Sequence, residues 1–214
     1  MKRIAILGTG GFARELAPVI KDINKVVPTY DFLGFVDGTI EKGTLINGYP
    51  VIGSDEEINA TTEPISLVLA FGEPNLKQKV FSKFTNPLIE FPTIIHPSVW
   101  IGEKDYVKIG KGCIICAGTM ITANVVLSDF ITLNLGCTVG HDTQIGAFSS
   151  FMPSVNISGE VNIGPGVYVG TGAKIINQLK IGEHTIVGAG AVVSKSLPAN
   201  CTAVGVPAKP IKFR

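Results

Sequence analysis

Between Ile109 and Val193 every sixth residue is apolar, without a break. The fifteen positions are aliphatic except for Phe151. At 45 % hydrophobic content, chance would give such a run with a probability on the order of 10⁻⁵ or less. A helix needs apolar spacings of three and four, and a hairpin sheet needs alternation broken by turn signals. A period of six fits neither. It fits a short strand, a bend and another short strand, with three such units making one triangular coil. The residue after the apolar one is often glycine (Gly110, Gly140, Gly146, Gly164, Gly170, Gly182, Gly188), which places glycine at the bend. Four residues after the apolar position the side chain is usually small or aliphatic, as in Val125, Val155, Ala173 and Ala191. Residues eighteen apart then stack at about 4.8 Å. The expectation is a parallel β-helix of about five coils over residues 91–214.

Residues 1–90 follow another pattern. Lys2–Leu7 reads as a buried strand, followed by Gly8-Thr9-Gly10-Gly11 and a helix from Phe12 to about Asn24. Phe32–Val36 predicts a second strand ending at Asp37, and Ser66–Phe71 a third ending at Gly72. Asn75–Phe84 has helical spacing through Leu76, Val80 and Phe84. Strand, glycine turn and helix in this order predict a Rossmann-like α/β unit. Gly8-x-Gly10-x-x-Ala13 nearly matches the dinucleotide fingerprint, whose glycines let phosphate approach a helix N-terminus. Some 90 residues supply only half a dinucleotide fold, which favours a single nucleotide. Gly8, Gly10, Gly11, Asp37 and Gly72 are therefore the candidate nucleotide contacts. Asp37 either accepts from a ribose or base, or caps its loop.

The 18 Lys+Arg against 17 Asp+Glu leave a net charge of +1, which argues against a nucleic-acid-binding domain. Mean hydropathy is +0.37, yet 25 Gly and 13 Pro interrupt the apolar stretches. The uncharged run from Gly112 to Ser128 contains Gly, Thr and Asn and reads poorly as a membrane span. The apolar run after Arg3 is too short for a signal-peptide core, and four cysteines without paired spacing do not make a secreted disulfide scaffold. A cytoplasmic protein with free thiols is expected. Cys113-x-x-Cys116 lacks a second pair, which favours buried structural thiols over a metal or redox site.

Three histidines offer themselves as a catalytic base. His96 precedes Pro97 and reads as structural; His184 sits in a bend and reads as solvated. His141 follows Gly140 and is followed by Asp142. Gly159, eighteen residues on, puts no side chain over it, which implies an open slot beside the imidazole. His141 would take a proton from an acceptor while Asp142 holds its other ring nitrogen; the alternative is a structural surface histidine. The three histidines are 45 and 43 residues apart, neither a multiple of eighteen, so a shared metal is not expected.

The hexads, together with Ile6-Leu7-Gly8-Thr9-Gly10-Gly11, Gly34-Phe35-Val36-Asp37, Ile95-His96-Pro97-Ser98, Asn134 through His141-Asp142, and Gly205-Val206-Pro207-Ala208-Lys209, resemble the NeuD family of bacterial sugar acetyltransferases in the hexapeptide-repeat superfamily. The resemblance implies a left-handed β-helix, a homotrimer, and acetyl-CoA bound between neighbouring prisms. It implies an N-acetyltransferase acting on a nucleotide-linked 4-amino-4,6-dideoxyhexose in surface-glycan synthesis. O-acetylation of a sugar such as sialic acid and a non-catalytic sugar-nucleotide scaffold are the alternatives. By the same resemblance Asn134 lies near the acceptor. Gly159, Thr171 and Ala189 line the acetyl-CoA site, and Lys209, Lys212 and Arg214 stand near the CoA phosphates unless they are only a solvated tail. Two positions depart from relatives: Phe12 replaces a histidine after the first strand, and Ser150 replaces a second histidine beyond the catalytic one.

Overall fold

The computed structural model describes residues 1–213. The chain forms two compact units, Met1–Pro97 and the remainder from Ser98.

The first unit is a six-stranded sheet. Its strands are β1 (Lys2–Leu7), β2 (Tyr30–Val36), β3 (Leu45–Ile46), β4 (Tyr49–Gly53), β5 (Ile65–Leu69) and β6 (Ile89–Glu90). The order is β3-β4-β2-β1-β5-β6, parallel except for the β3–β4 hairpin. Ile4–Leu7 and Leu67–Leu69 are buried continuous runs, as parallel strands covered on both faces require. Helix α1 (Gly11–Val26) buries Ala13, Leu16, Ala17, Val19 and Ile20 at helical spacing. Two shorter helices are α2 (Asp55–Asn59) and α3 (Pro74–Phe81). The hairpin, α2 and β6 escape the sequence reading because each is too short to show a period. Their signals are local: Asn47 at φ 49° beside Gly48 in the hairpin turn, and a Ser54–Glu57 capping box at α2. Helix α3, expected over Asn75–Phe84, ends at Phe81, where Lys83 and Phe84 close single turns on the carbonyls of Val80 and Phe81.

The second unit is a triangular β-helix of two-residue strands stacked in three parallel walls. The first wall carries Lys108–Ile109, Val126–Leu127, Gln144–Ile145, Asn162–Ile163 and Lys180–Ile181. The second carries Ile114–Ile115, Thr132–Leu133, Ser150–Phe151, Tyr168–Val169 and Ile186–Val187. The third runs from Trp100–Ile101 through Met120–Ile121, Thr138–Val139, Asn156–Ile157 and Lys174–Ile175 to Val192–Val193. Partners within the six-residue repeat are eighteen apart. Of the fifteen hexad residues, all but Ile109 are buried. At the far end Cys201–Val204 joins the second wall and Lys209–Phe213 turns back antiparallel along it.

The corners correct one expectation. The glycine after the apolar residue does not make the bend. The left-handed residue comes two positions later, at every sixth place from Gly112 to Gly190, and eight of these fourteen residues are not glycine. The earlier glycine is needed for stacking: a Cβ on Gly140 would stand 2.5 Å from the backbone nitrogen of Gly159 in the next coil.

Inside the prism, the row four after each hexad residue contains polar groups that bond upward. Thr119 and Thr143 donate to carbonyls fifteen residues on, at 3.2 Å each, and Cys113 and Cys137 do the same at 3.2 and 3.4 Å. Cysteine here serves as a slightly larger serine. All four thiols are buried, and burial pushes Cys137 up to about 11.

Candidate functional site

His141 stands at the corner between the third and first walls. Gly140 lets the coils close up, and Asp142 takes the left-handed turn at φ 58°, so His141 projects from the apex. Asp142 is suited to that conformation because aspartate visits it more readily than most residues. The turn folds the carboxylate back: His141 Nδ1 lies 2.8 Å from Asp142 Oδ2, and both side chains are about half exposed. The other oxygen, Oδ1, accepts a bond of 3.0 Å from Asn124 Nδ2, one coil earlier. These bonds, to His141 first and then Asn124, hold the Asp142 carboxyl below its ordinary value. A charged Asp142 keeps the ring proton on Nδ1, which leaves the Nε2 lone pair free to accept a proton.

Nε2 faces Gly159. A Cβ placed there would meet Nε2 at 2.5 Å, Cε1 at 2.6 Å and Cδ2 at 2.9 Å. The expected open slot is therefore a correction: the imidazole itself fills the space that glycine leaves, because stacked coils are too close to hold both a ring and a side chain. Gly159 positions the His141 ring.

The other expected residues divide by corner. Asn134, Thr171 and Ala189 share the corner between the second and third walls, one wall width from His141 on the same protomer. Thr171 and Ala189 are exposed there, whereas Asn134 is buried and its side-chain oxygen accepts from the Leu135 N–H at 2.7 Å. Ser150 lies on the second wall, fully buried, and its hydroxyl has no partner among the described residues. Lys209 and Lys212 are exposed on the terminal strand, and Arg214 lies outside the described residues. His96 is partly buried with Nε2 3.3 Å from Asp22 Oδ2. His184 is not simply solvated: its ring lies over Gly166, where a Cβ would come within 2.5 Å of Nδ1.

In the first unit, Gly8, Gly10 and Gly11 follow β1, Asp37 follows β2 and Gly72 follows β5, so all five gather at the carboxyl ends of three adjacent strands. The β1 and β5 loops meet: a Cβ on Gly8 would stand 3.4 Å from the Phe71 ring. Gly10 caps α1 with no side-chain bond, and a Cβ on Gly10 or Gly11 would meet open space. The first amides of a sixteen-residue helix thus face open space, suited to a phosphate. Asp37 is held by two threonines. Its Oδ2 takes the Thr9 hydroxyl at 2.7 Å, while Oδ1 takes the Thr39 hydroxyl and N–H at 2.6 and 2.9 Å. Burial pushes this carboxyl up, but the bonds from Thr39 and Thr9 outweigh it and keep the carboxyl below its ordinary value. These three bonds make Asp37 a cap of its own loop.

Residues 3–84 match the PglD N-terminal domain model, and residues 160–195 the bacterial transferase hexapeptide model of six repeats. The GDP-perosamine N-acetyltransferase of Escherichia coli O157:H7 is 32 % identical over 219 residues, covering 99 % of this chain and 97 % of that one. The chain belongs to this acetyltransferase family. Among solved structures, the acetyltransferase domain of PglB from Neisseria gonorrhoeae FA1090 superimposes with a TM-score of 0.89 at 28 % identity, covering 99 % and 100 % of the two chains. PerB from Caulobacter crescentus, in complex with CoA and GDP-perosamine, gives 0.84 at 31 % identity, covering 99 % and 98 %. The left-handed hexapeptide β-helix and the PglD-type sheet are thus the family fold, and this acetyltransferase carries both over its full length. Among its described residues no three His, Cys, Asp or Glu side chains group as metal ligands. None of its described helices is long and apolar enough to cross a membrane. Asn124 is the site residue that sequence reading missed. Its signal was present, since it precedes Asp142 by eighteen residues at the same left-handed corner position.

Proposed function

We propose that this acetyltransferase moves the acetyl group of acetyl-CoA to the amine of a nucleotide-linked 4-amino-4,6-dideoxyhexose, of the kind named in the GDP-perosamine N-acetyltransferase relative, as a cytoplasmic step of surface-glycan synthesis. The observation that carries this reading is the His141–Asp142 pair at 2.8 Å, with Nε2 over Gly159 and not engaged by the carboxylate. In a ternary complex Nε2 takes the proton of the attacking amine as the N–C bond forms. The tetrahedral centre then collapses, the C–S bond breaks, and the CoA thiolate recovers that proton from the imidazolium. Asp142 stabilises the imidazolium without itself becoming protonated.

The crevice at Gly8, Gly10, Gly11 and Gly72 takes the nucleotide phosphates, with Asp37 holding Thr9 and the turn in shape. Thr171, Ala189 and Lys209 serve acetyl-CoA, and Asn134 borders the acceptor. On a single prism His141 is an exposed apex, and the hollow of about 440 Å³ is lined by Gly164, Gly182 and Leu197 rather than by it. The site is completed in a homotrimer, where the Asn134–Thr171–Ala189 corner of one prism meets the His141 corner of the next. Trp100 and Met120, paired and about half exposed on the third wall between those corners, support that face as the contact.

The test is CoA release with GDP-, UDP- and dTDP-linked 4-amino sugars and with free sialic acid, using wild type and His141→Ala, beside light scattering for the oligomer. Turnover with a nucleotide amino sugar, lost in His141→Ala, supports the reading. Turnover with sialic acid alone, or full activity in a monomer, refutes it.

A further inference from the structure

Asn124, Asp142, Glu160 and Gln178 form a column at the His141 corner, each eighteen residues from the next and each left-handed at φ 56–61°. Such stacked positions are separated by about 4.8 Å. The column reads amide, carboxylate, carboxylate, amide. Asn124 Nδ2 donates to Asp142 Oδ1 at 3.0 Å, and Gln178 Nε2 donates to the two Glu160 oxygens at 3.3 and 3.2 Å. Each end amide draws its carboxylate away from the like charge beside it.

From this arrangement we infer that Asn124 is a positioning residue for the acetyl transfer, fixing which oxygen of Asp142 faces the imidazole. The inference rests on His141 as the base. An amide beside a carboxylate presents its N–H₂, so Oδ1 is committed to Asn124 and Oδ2 to His141 Nδ1. Without that donor, Asp142 is left between the imidazole and the Glu160 charge, and the carboxylate is free to rotate. The ring then loses its fixed direction toward the acceptor. Asn124 touches neither reacting group, so its effect falls on kcat.

Glycine, asparagine and aspartate all tolerate a left-handed corner, so Asn124→Gly and Asn124→Asp test the side chain without straining the backbone. Asn124→Gly is expected to lower kcat about threefold to tenfold, the exposed setting trimming what a charge-assisted bond supplies. The KM values for acetyl-CoA and acceptor should stay within about twofold. Asn124→Asp, nearly isosteric, should be worse than glycine at pH 8, because it sets a third carboxylate beside Asp142. The titratable groups at this corner are His141, Asp142 and Glu160 on the coils that follow, with Glu103, Lys104, Asp105 and Tyr106 in the turn that leads into Lys108–Ile109. As pH falls and the two carboxyls come to share a proton, an O–H donor returns, and the Asp variant should overtake the Gly variant. A purely structural corner residue would show no such crossing.

Asn124→Asp equal to or better than Asn124→Gly at pH 8, or both at wild-type kcat, overturns the inference. His141→Ala assayed alongside separates the two failures: if it stays active, the base assignment has failed; if it is dead while the Asn124 variants are normal, only Asn124 is misassigned.

Discussion

Gly159→Ala separates the stability of the β-helix from the placement of its base. Gly159 does not need a left-handed φ, so alanine fits the backbone. Its methyl group would sit 2.5 Å from His141 Nε2, where ordinary contact begins near 3.4 Å. The ring must therefore retreat by about 0.9 Å. Because the His141 side chain is 58 % exposed, it can swing into solvent with little loss of packing. The melting temperature is expected to change by only a few degrees, the range of a substitution worth less than about 1 kcal/mol. Catalysis should respond differently: a base displaced by about 1 Å loses on the order of 10²-fold. The assay is steady-state CoA release over pH 6–9, with a thermal melt of the same samples. A fall of about a hundredfold in kcat at nearly unchanged melting temperature is the expected result. Wild-type kcat would show that the Nε2 edge over Gly159 is not where the base works, and a collapsed melting temperature would show that the methyl group is felt by the coil rather than the ring.

Asp142→Asn keeps the side chain's shape but offers an amide to Nδ1, favouring the tautomer with its proton on Nε2; kcat should fall about a hundredfold with the oligomer intact, read by turnover and scattering. Asp37 ionises below its ordinary value in the folded chain, so its stabilising effect is full above about pH 4 and fades as pH falls through the lowered value. Asp37→Asn should therefore unfold in less urea than wild type at pH 7, and the gap should shrink as pH falls below about 4. Cys137→Ser should keep wild-type kcat, because Ser149 in the same inward row donates to the carbonyl fifteen residues on at 3.1 Å; a loss of turnover would implicate the thiol in chemistry.

The sequence by itself determined the β-helix, because the hexad repeat is a local rule applied fifteen times, with each residue's environment following from its phase. It also determined the β1–glycine–α1 unit, where buried apolar runs and an amphipathic helix carry their own periods. Through the eighteen-residue coil it even placed Gly159 against His141. What the tertiary structure decided is what lies in the space between coils. A count of residues shows that Gly159 bears no side chain, but only the distance between stacked backbones shows that the imidazole consumes the vacancy. The loop-capping role of Asp37 depends on Thr9 and Thr39 converging from two strand ends. The sharing of Asp142 between His141 and Asn124 depends on left-handed turns that aim side chains along the column. Periodicity assigns a residue to a face; the direction of its donors and acceptors is settled by backbone torsion and by the neighbours that stacking brings within about 3 Å.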